Sequence, residues 1–119
     1  THIINEEDAL IAASTSLVMP LARTNTTISC IVTNARLTKA EATKVAQMAA
    51  DGYAHAIRPT HTTNDGDTIF VMAFGSLEAP VDLVGALAVR AIERAIADAA
   101  REAKPAFGLK AASSFDSEI

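Results

Sequence analysis

Tryptophan is missing from this 119-residue chain, and cysteine and tyrosine occur once each. The single cysteine, Cys30, has no partner within the chain for a disulfide, which suits a reducing compartment; inside the apolar run CIV it reads as a small core residue. Basic residues are not clustered, and 10 of them against 14 acids leave a net charge of −4, so there is no electrostatic footprint for nucleic acid. No apolar run approaches the roughly 20 residues of a membrane helix, and the opening THIINEED lacks the basic region of a signal peptide. These absences predict a soluble, cytoplasmic protein with no nucleic-acid or membrane partner. Apolar residues, by contrast, make up 50% of the chain, enough to build a core in one domain of ordinary size.

The apolar residues fall into recognisable elements. Asn5 ahead of Glu6, Glu7 and Asp8 has the form of a helix N-terminus, and ALIAASTSLV extends that helix until Met19-Pro20 stops it. Leu21 to Thr26 is a polar connector. Ile28 to Thr33 (ISCIVT) is rich in β-branched residues with little alternation, the pattern of a strand covered on both faces. Thr38-Lys39-Ala40-Glu41 is a capping box, Leu37 and Ala42 are placed as a hydrophobic staple, and Val45, Met48, Ala49 and Tyr53 recur at helical spacing. A helix from Lys39 to Ile57 follows, ended by Pro59. Arg58 to Thr63 reads as extended and Asn64-Asp65-Gly66-Asp67 as a tight turn before a strand from Thr68 to Phe74, which predicts a hairpin. Pro80 and Asp82 open a long helix to about Ala103, with Val84, Leu87, Ala88, Ala91, Ile92, Ala95 and Ala99 on one face. The tail from Ala111 to Ile119 is small, polar and acidic, which predicts poor order. The fold class is α/β. Two or three strands cannot cover a long Ala-rich helix and a strand apolar on both faces, so a partner chain that completes the sheet is implied, in a hetero- or homo-oligomer.

Two polar constellations interrupt this pattern. TNTTIS, residues 24–29, sets four hydroxyl side chains and Asn25 at the mouth of the ISCIVT strand. Such residues cap turns, but a hydroxyl on Cβ also attacks the preceding carbonyl through a five-membered ring, shifting the acyl group from nitrogen to oxygen so that water then cuts the chain. The freed α-amine, titrating near ~7.7, can then serve as the base for the same hydroxyl. Asn25-Thr26 is such a bond, and Thr27 and Ser29 alternate along the strand beside it. In Asp65-Gly66-Asp67 the glycine permits a turn with positive φ, and the flanking carboxylates either bond their own backbone or hold an ammonium group. His61 near Asp65 and Asp67 also suggests a metal site, but nothing supplies a second His or Cys at ligand spacing, so no metal is expected there. His55 reads as a partly exposed helix residue, His2 as part of a loose terminus, Arg58 as a surface partner for the Asp turn, and Tyr53 as a core or boundary residue.

The succession NTTISCIVTNARLTKAEATKVAQMAADGYAHAIRP and NDGDTIFVMAFG, over roughly residues 24 to 103, resembles the β-subunit region of the self-cleaving aminopeptidase/esterases of the DmpA type, whose relatives include nylon-oligomer hydrolases and β-peptidyl aminopeptidases. The resemblance implies part of an αββα layered sandwich, divided here into the end of an α-subunit-like segment (1–25) and a β-subunit-like domain (26–119). It implies a scissile bond at Asn25-Thr26, Thr26 as nucleophile, and Asp65 and Asp67 as the acidic pair. The reaction it implies is hydrolysis of a small amide, peptide or ester through an acyl-enzyme, with no cofactor. In that family an upstream α-subunit supplies a Lys and an Asn that activate the nucleophile and bind the oxyanion, so this chain by itself is expected to be inactive. Thr26 is internal in the sequence, a departure from a processed enzyme. Three other readings remain open: Thr1 as a terminal nucleophile, a non-catalytic or uncleaved assembly subunit, and an acyltransferase resembling the ornithine acetyltransferases.

Overall fold

In a computed structural model of the chain, the described residues are 6–13 and 25–115. In order they form helix α1 (Glu6–Ala13), strand β1 (Ile28–Ala35), helix α2 (Lys39–Ala56), strand β2 (Thr68–Leu77), helix α3 (Val81–Glu102) and a 3-10 turn at Ala112–Ser114. The arrangement is mixed α/β. Thr1, His2 and the expected continuation of α1 toward Met19-Pro20 lie outside the described residues, as does the end of the tail. The part of the tail that is described, expected to be poorly ordered, closes a short turn in which Ser114 Oγ accepts the Ala111 N–H at 3.2 Å.

β1 and β2 lie side by side in parallel. Ile28 is opposite Thr68 and the register holds to Thr33 opposite Ala73; it then slips, so that Ala35 meets Leu77. This corrects the expected hairpin. Parallel neighbours need a crossover connection, and α2 supplies it. Arg58 to Thr63 forms no strand; instead the Asp65 N–H closes a turn on the Thr62 carbonyl at 3.1 Å. The turn chemistry of residues 64–67 is therefore local, and delivers the chain into β2 without folding it back on a preceding strand.

α2 begins at the capping box: Thr38 Oγ1 accepts the Glu41 N–H at 3.3 Å, and a Glu41 carboxylate oxygen accepts the Thr38 N–H at 2.7 Å. Its last turn hands over to Ile57 in an extended conformation. α2 and α3 pack closely because Gly52 presents no side chain: a Cβ there would lie 2.7 Å from the Val89 carbonyl oxygen. Between these helices and one face of the sheet sits the core, Ala35, Val45, Ala49, Tyr53, Val84, Ala88 and Ile92, with Ile31, Leu37, Ile69 and Val71 packed against it.

Alternation along the strands explains what is left uncovered. Ser29, Ile31, Thr33 and Ala35 turn toward the helices, whereas Ile28, Cys30 and Val32 turn away with Phe70, Met72 and Phe74 of β2. The apolar members of that outer face are 57–70% exposed. Among the described residues β1 is thus covered on one face only, because both long helices pack on the same side and leave the second apolar face open. Cys30 is exposed for the same reason and is no core residue. The predicted face of α3 is half realised: Val84, Ala88 and Ile92 are buried, while Leu87, Ala91, Ala95 and Ala99 are exposed. The apolar stripe is wider than α2 can cover. Ala91, Ala95 and Ala99 instead border an open cleft of about 570 Å³ along β1. No described helix is long and apolar enough to cross a membrane.

Candidate active site

Asn25, just ahead of β1, pairs with Asp65, just ahead of β2, in the parallel sense of the strands themselves. Two parallel strands entering the sheet together bring Asn25 and Thr26 beside Asp65 and Asp67, although some 40 residues separate the two pairs. These four residues, with Thr27, Ile57, Pro59 and Thr60, line one open cleft of about 320 Å³. Thr26 is exposed at its edge, and both aspartates are half-buried.

The hydrogen bonds assign different tasks to the two carboxylates. Asp67 Oδ1 accepts the backbone N–H of Thr27 at 2.9 Å, and Asp67 Oδ2 lies 3.4 Å from the Thr60 hydroxyl that donates to it. Asp67 therefore anchors the residue next to Thr26. Asp65 Oδ2 accepts the Thr62 N–H at 2.8 Å and closes its own turn. Among the described residues no hydrogen bond joins Thr26 Oγ1 to either carboxylate, and no Lys or Arg forms an ion pair with them. Arg58, expected to pair with the Asp turn, does not do so, because backbone and hydroxyl donors already occupy the carboxylates.

Gly66 has a use the sequence does not show. It is not among the described residues with positive φ, which are His61, Phe107 and Gly108, so the expected left-handed turn is corrected. A Cβ at Gly66 would instead lie 2.9 Å from Thr26 Oγ1. The Gly66 N–H donates to the Asn25 carbonyl oxygen at 3.0 Å, and the Thr68 N–H donates to the Thr27 carbonyl at 3.0 Å, extending the sheet's rungs across the Asn25-Thr26 bond.

Beneath the strand entrance lies Tyr53, fully buried, its hydroxyl 2.8 Å from Ser29 Oγ, 3.2 Å from the Thr27 carbonyl and 3.3 Å from the Thr68 carbonyl. The phenol has one proton to donate, and Ser29 Oγ is its nearest acceptor, with the two carbonyls slightly farther off. Periodicity places Tyr53 in the core and gives no sign of this bridge. The position of Thr60 was equally silent. His61 stacks on Tyr53 with ring centroids 6.1 Å apart, and its Nε2 is 3.3 Å from the Ala50 carbonyl. It forms no metal cluster with Asp65 and Asp67; no group of three metal-ligating side chains occurs among the described residues. His55 faces Glu93 of α3 at 3.4 Å on the surface.

The chain is 36% identical over 118 residues to an uncharacterized aminopeptidase of Mycobacterium tuberculosis, covering 83% of this chain and 34% of that protein. It is 48% identical over 69 residues to an uncharacterized aminopeptidase of Mycobacterium leprae (58% and 19%), and 39% identical over 56 residues to the 6-aminohexanoate-oligomer endohydrolase of Paenarthrobacter ureafaciens (47% and 16%). The chain thus spans about a third or less of the length of these relatives. The family model of peptidase family S58 matches residues 2–113, nearly the whole chain, and the chain belongs to that family.

Proposed function

We propose that this chain is the nucleophile-bearing part of an amide-bond hydrolase that activates itself by cutting the Asn25-Thr26 bond. Thr26 attacks, its freed α-amine takes the hydroxyl proton in later turnovers, and Asp65 and Asp67 hold that amine or the amine of a small peptide, amide or ester substrate. Residues 1–25 then belong to an α-subunit-like region, and the rest of that region completes the sheet and the site. The names of the aminopeptidase and oligomer-hydrolase relatives support the reaction class.

The single observation that supports the reading best is the placement of Asn25-Thr26. The bond lies at the entrance of a strand, between rungs that fix the carbonyls on either side of Thr26, with Thr26 Oγ1 exposed in a cleft that also holds both aspartates. A Thr/Ser-rich turn serving only as a cap has no need of that convergence. The test is Thr26→Ala in the full-length protein, which is expected to abolish both chain cleavage and labelling by an acylating inhibitor. Persistence of either would remove Thr26 from the role and leave the non-catalytic assembly reading.

A further inference from the structure

The scissile carbonyl proposed above is already in a hydrogen bond, and its donor is a backbone group of the acidic loop. Gly66 N–H meets Asn25 O at 3.0 Å, while the position of a Gly66 Cβ is 2.9 Å from Thr26 Oγ1. One residue therefore binds the oxygen of the bond to be cut and makes room for the oxygen that cuts it. The direction of the Asn25 carbonyl is fixed independently by the next rung, Thr68 N–H to Thr27 O, because carbonyls two residues apart on a strand point the same way. From this geometry we infer that the Gly66 N–H is an oxyanion donor for self-cleavage, one that this chain supplies itself. The inference rests on Thr26 being the nucleophile.

The step balances without any co-reactant except water. Thr26 Oγ1 bonds to the Asn25 carbonyl carbon, and the carbonyl π pair moves onto oxygen, whose new charge strengthens the bond from Gly66 N–H. The hydroxyl proton is transferred to the Thr26 nitrogen, the C–N bond breaks with its pair on nitrogen, and an ester to Oγ1 and a free amine remain. Water then adds to that ester carbonyl and the same oxygen becomes anionic a second time. Collapse expels Oγ1, which is reprotonated, and leaves the Asn25 carboxylate. A donor preset on this oxygen favours both additions, because it needs no reorganisation as charge develops.

A rung of the sheet without a catalytic part would have the same length, so the test must separate the two. In the full-length protein, glycolic acid in place of Gly66 turns the Asp65–Gly66 amide into an ester and deletes the N–H alone. The matching α-hydroxy acid at Thr68 deletes the neighbouring rung, which touches no reacting atom. Cleavage of freshly folded precursor is followed by intact mass. Loss of the Gly66 N–H is expected to slow cleavage roughly 10²-fold or more, and loss of the Thr68 N–H less than tenfold. Equal slowing by both esters, or none by either, overturns the inference and leaves Thr26 in place. If instead the Thr26→Ala precursor is cut at the same bond, or the unaltered protein is never cut there, the underlying reading falls and this one with it.

Discussion

Tyr53 shows at the scale of one residue how the candidate site is held. Its hydroxyl is the point where the entrance of β1, the entrance of β2 and the Ser29 side chain meet, in a place closed to water. Tyr53→Phe keeps the packing and leaves Ser29 and two strand carbonyls short of a partner, so it should destabilise the protein by about 1–3 kcal/mol, seen as a lower urea midpoint at unchanged m-value. An unchanged midpoint would show that the bridge is idle. Asp67→Asn is a contrasting case. The amide retains an oxygen for the Thr27 N–H but no charge, so folding should survive while turnover falls roughly 10²-fold if the carboxylate holds the amine. Equal turnover would assign Asp67 to the backbone alone. Local motifs in the sequence single out Thr26, Asp65 and Asp67 as candidates. They do not show the Tyr53 bridge, whose partners lie 15 to 26 residues away, nor the use of Gly66, which depends on a strand some 40 positions earlier.

At the scale of elements, the best-read segment is α2, because its start signal is local chemistry. Thr38→Ala removes the cap and should cost about 1 kcal/mol, measured by thermal melting of the full-length protein. The same cap has a pH signature. Hydrogen bonds from Thr38, backbone first and then side chain, hold the Glu41 carboxyl below its ordinary value. A depressed folded-state pKa means stability that is present above the ordinary glutamate value and lost as pH falls through the depressed one. Thr38→Ala keeps the backbone N–H, the larger cause, and removes the side-chain one, so it should flatten that acid limb only in part; an identical acid limb in both proteins would contradict the side-chain contribution. The elements misread from sequence share one physical cause. Asn64-Asp65-Gly66-Asp67 encodes a turn, but which strand lies beside β2 is set by the packing of α2 across the sheet, so a hairpin signal precedes a parallel pair. Likewise, helical periodicity gives the width of the α3 apolar stripe but not how much of it α2 can reach.

On the scale of the whole molecule, the feature to be explained is the outer sheet face. Ile28 at 68%, Val32 at 60%, Phe70 and Met72 at 57% and Phe74 at 70% exposure form a contiguous apolar layer next to the candidate cleft. Alternating burial was masked in the sequence because apolar residues occupy both faces, as they do in a strand meant for a closed interior. The chain spans 34% of its Mycobacterium tuberculosis relative, and we propose that an upstream region covers this layer. Produced alone, residues 1–119 should self-associate and bind a hydrophobic dye, and co-production with the upstream region should suppress both. A monomeric, dye-silent fragment would argue against a missing layer.

We propose Asn25-Thr26 as a self-processing bond whose cleavage creates the nucleophile. Its most direct test is the intact mass of the denatured full-length protein, with N-terminal sequencing of each species. A fragment beginning TTISCIV is the predicted result; a single species still continuous through Asn25 and Thr26, in a preparation that turns over an amide substrate, would contradict it.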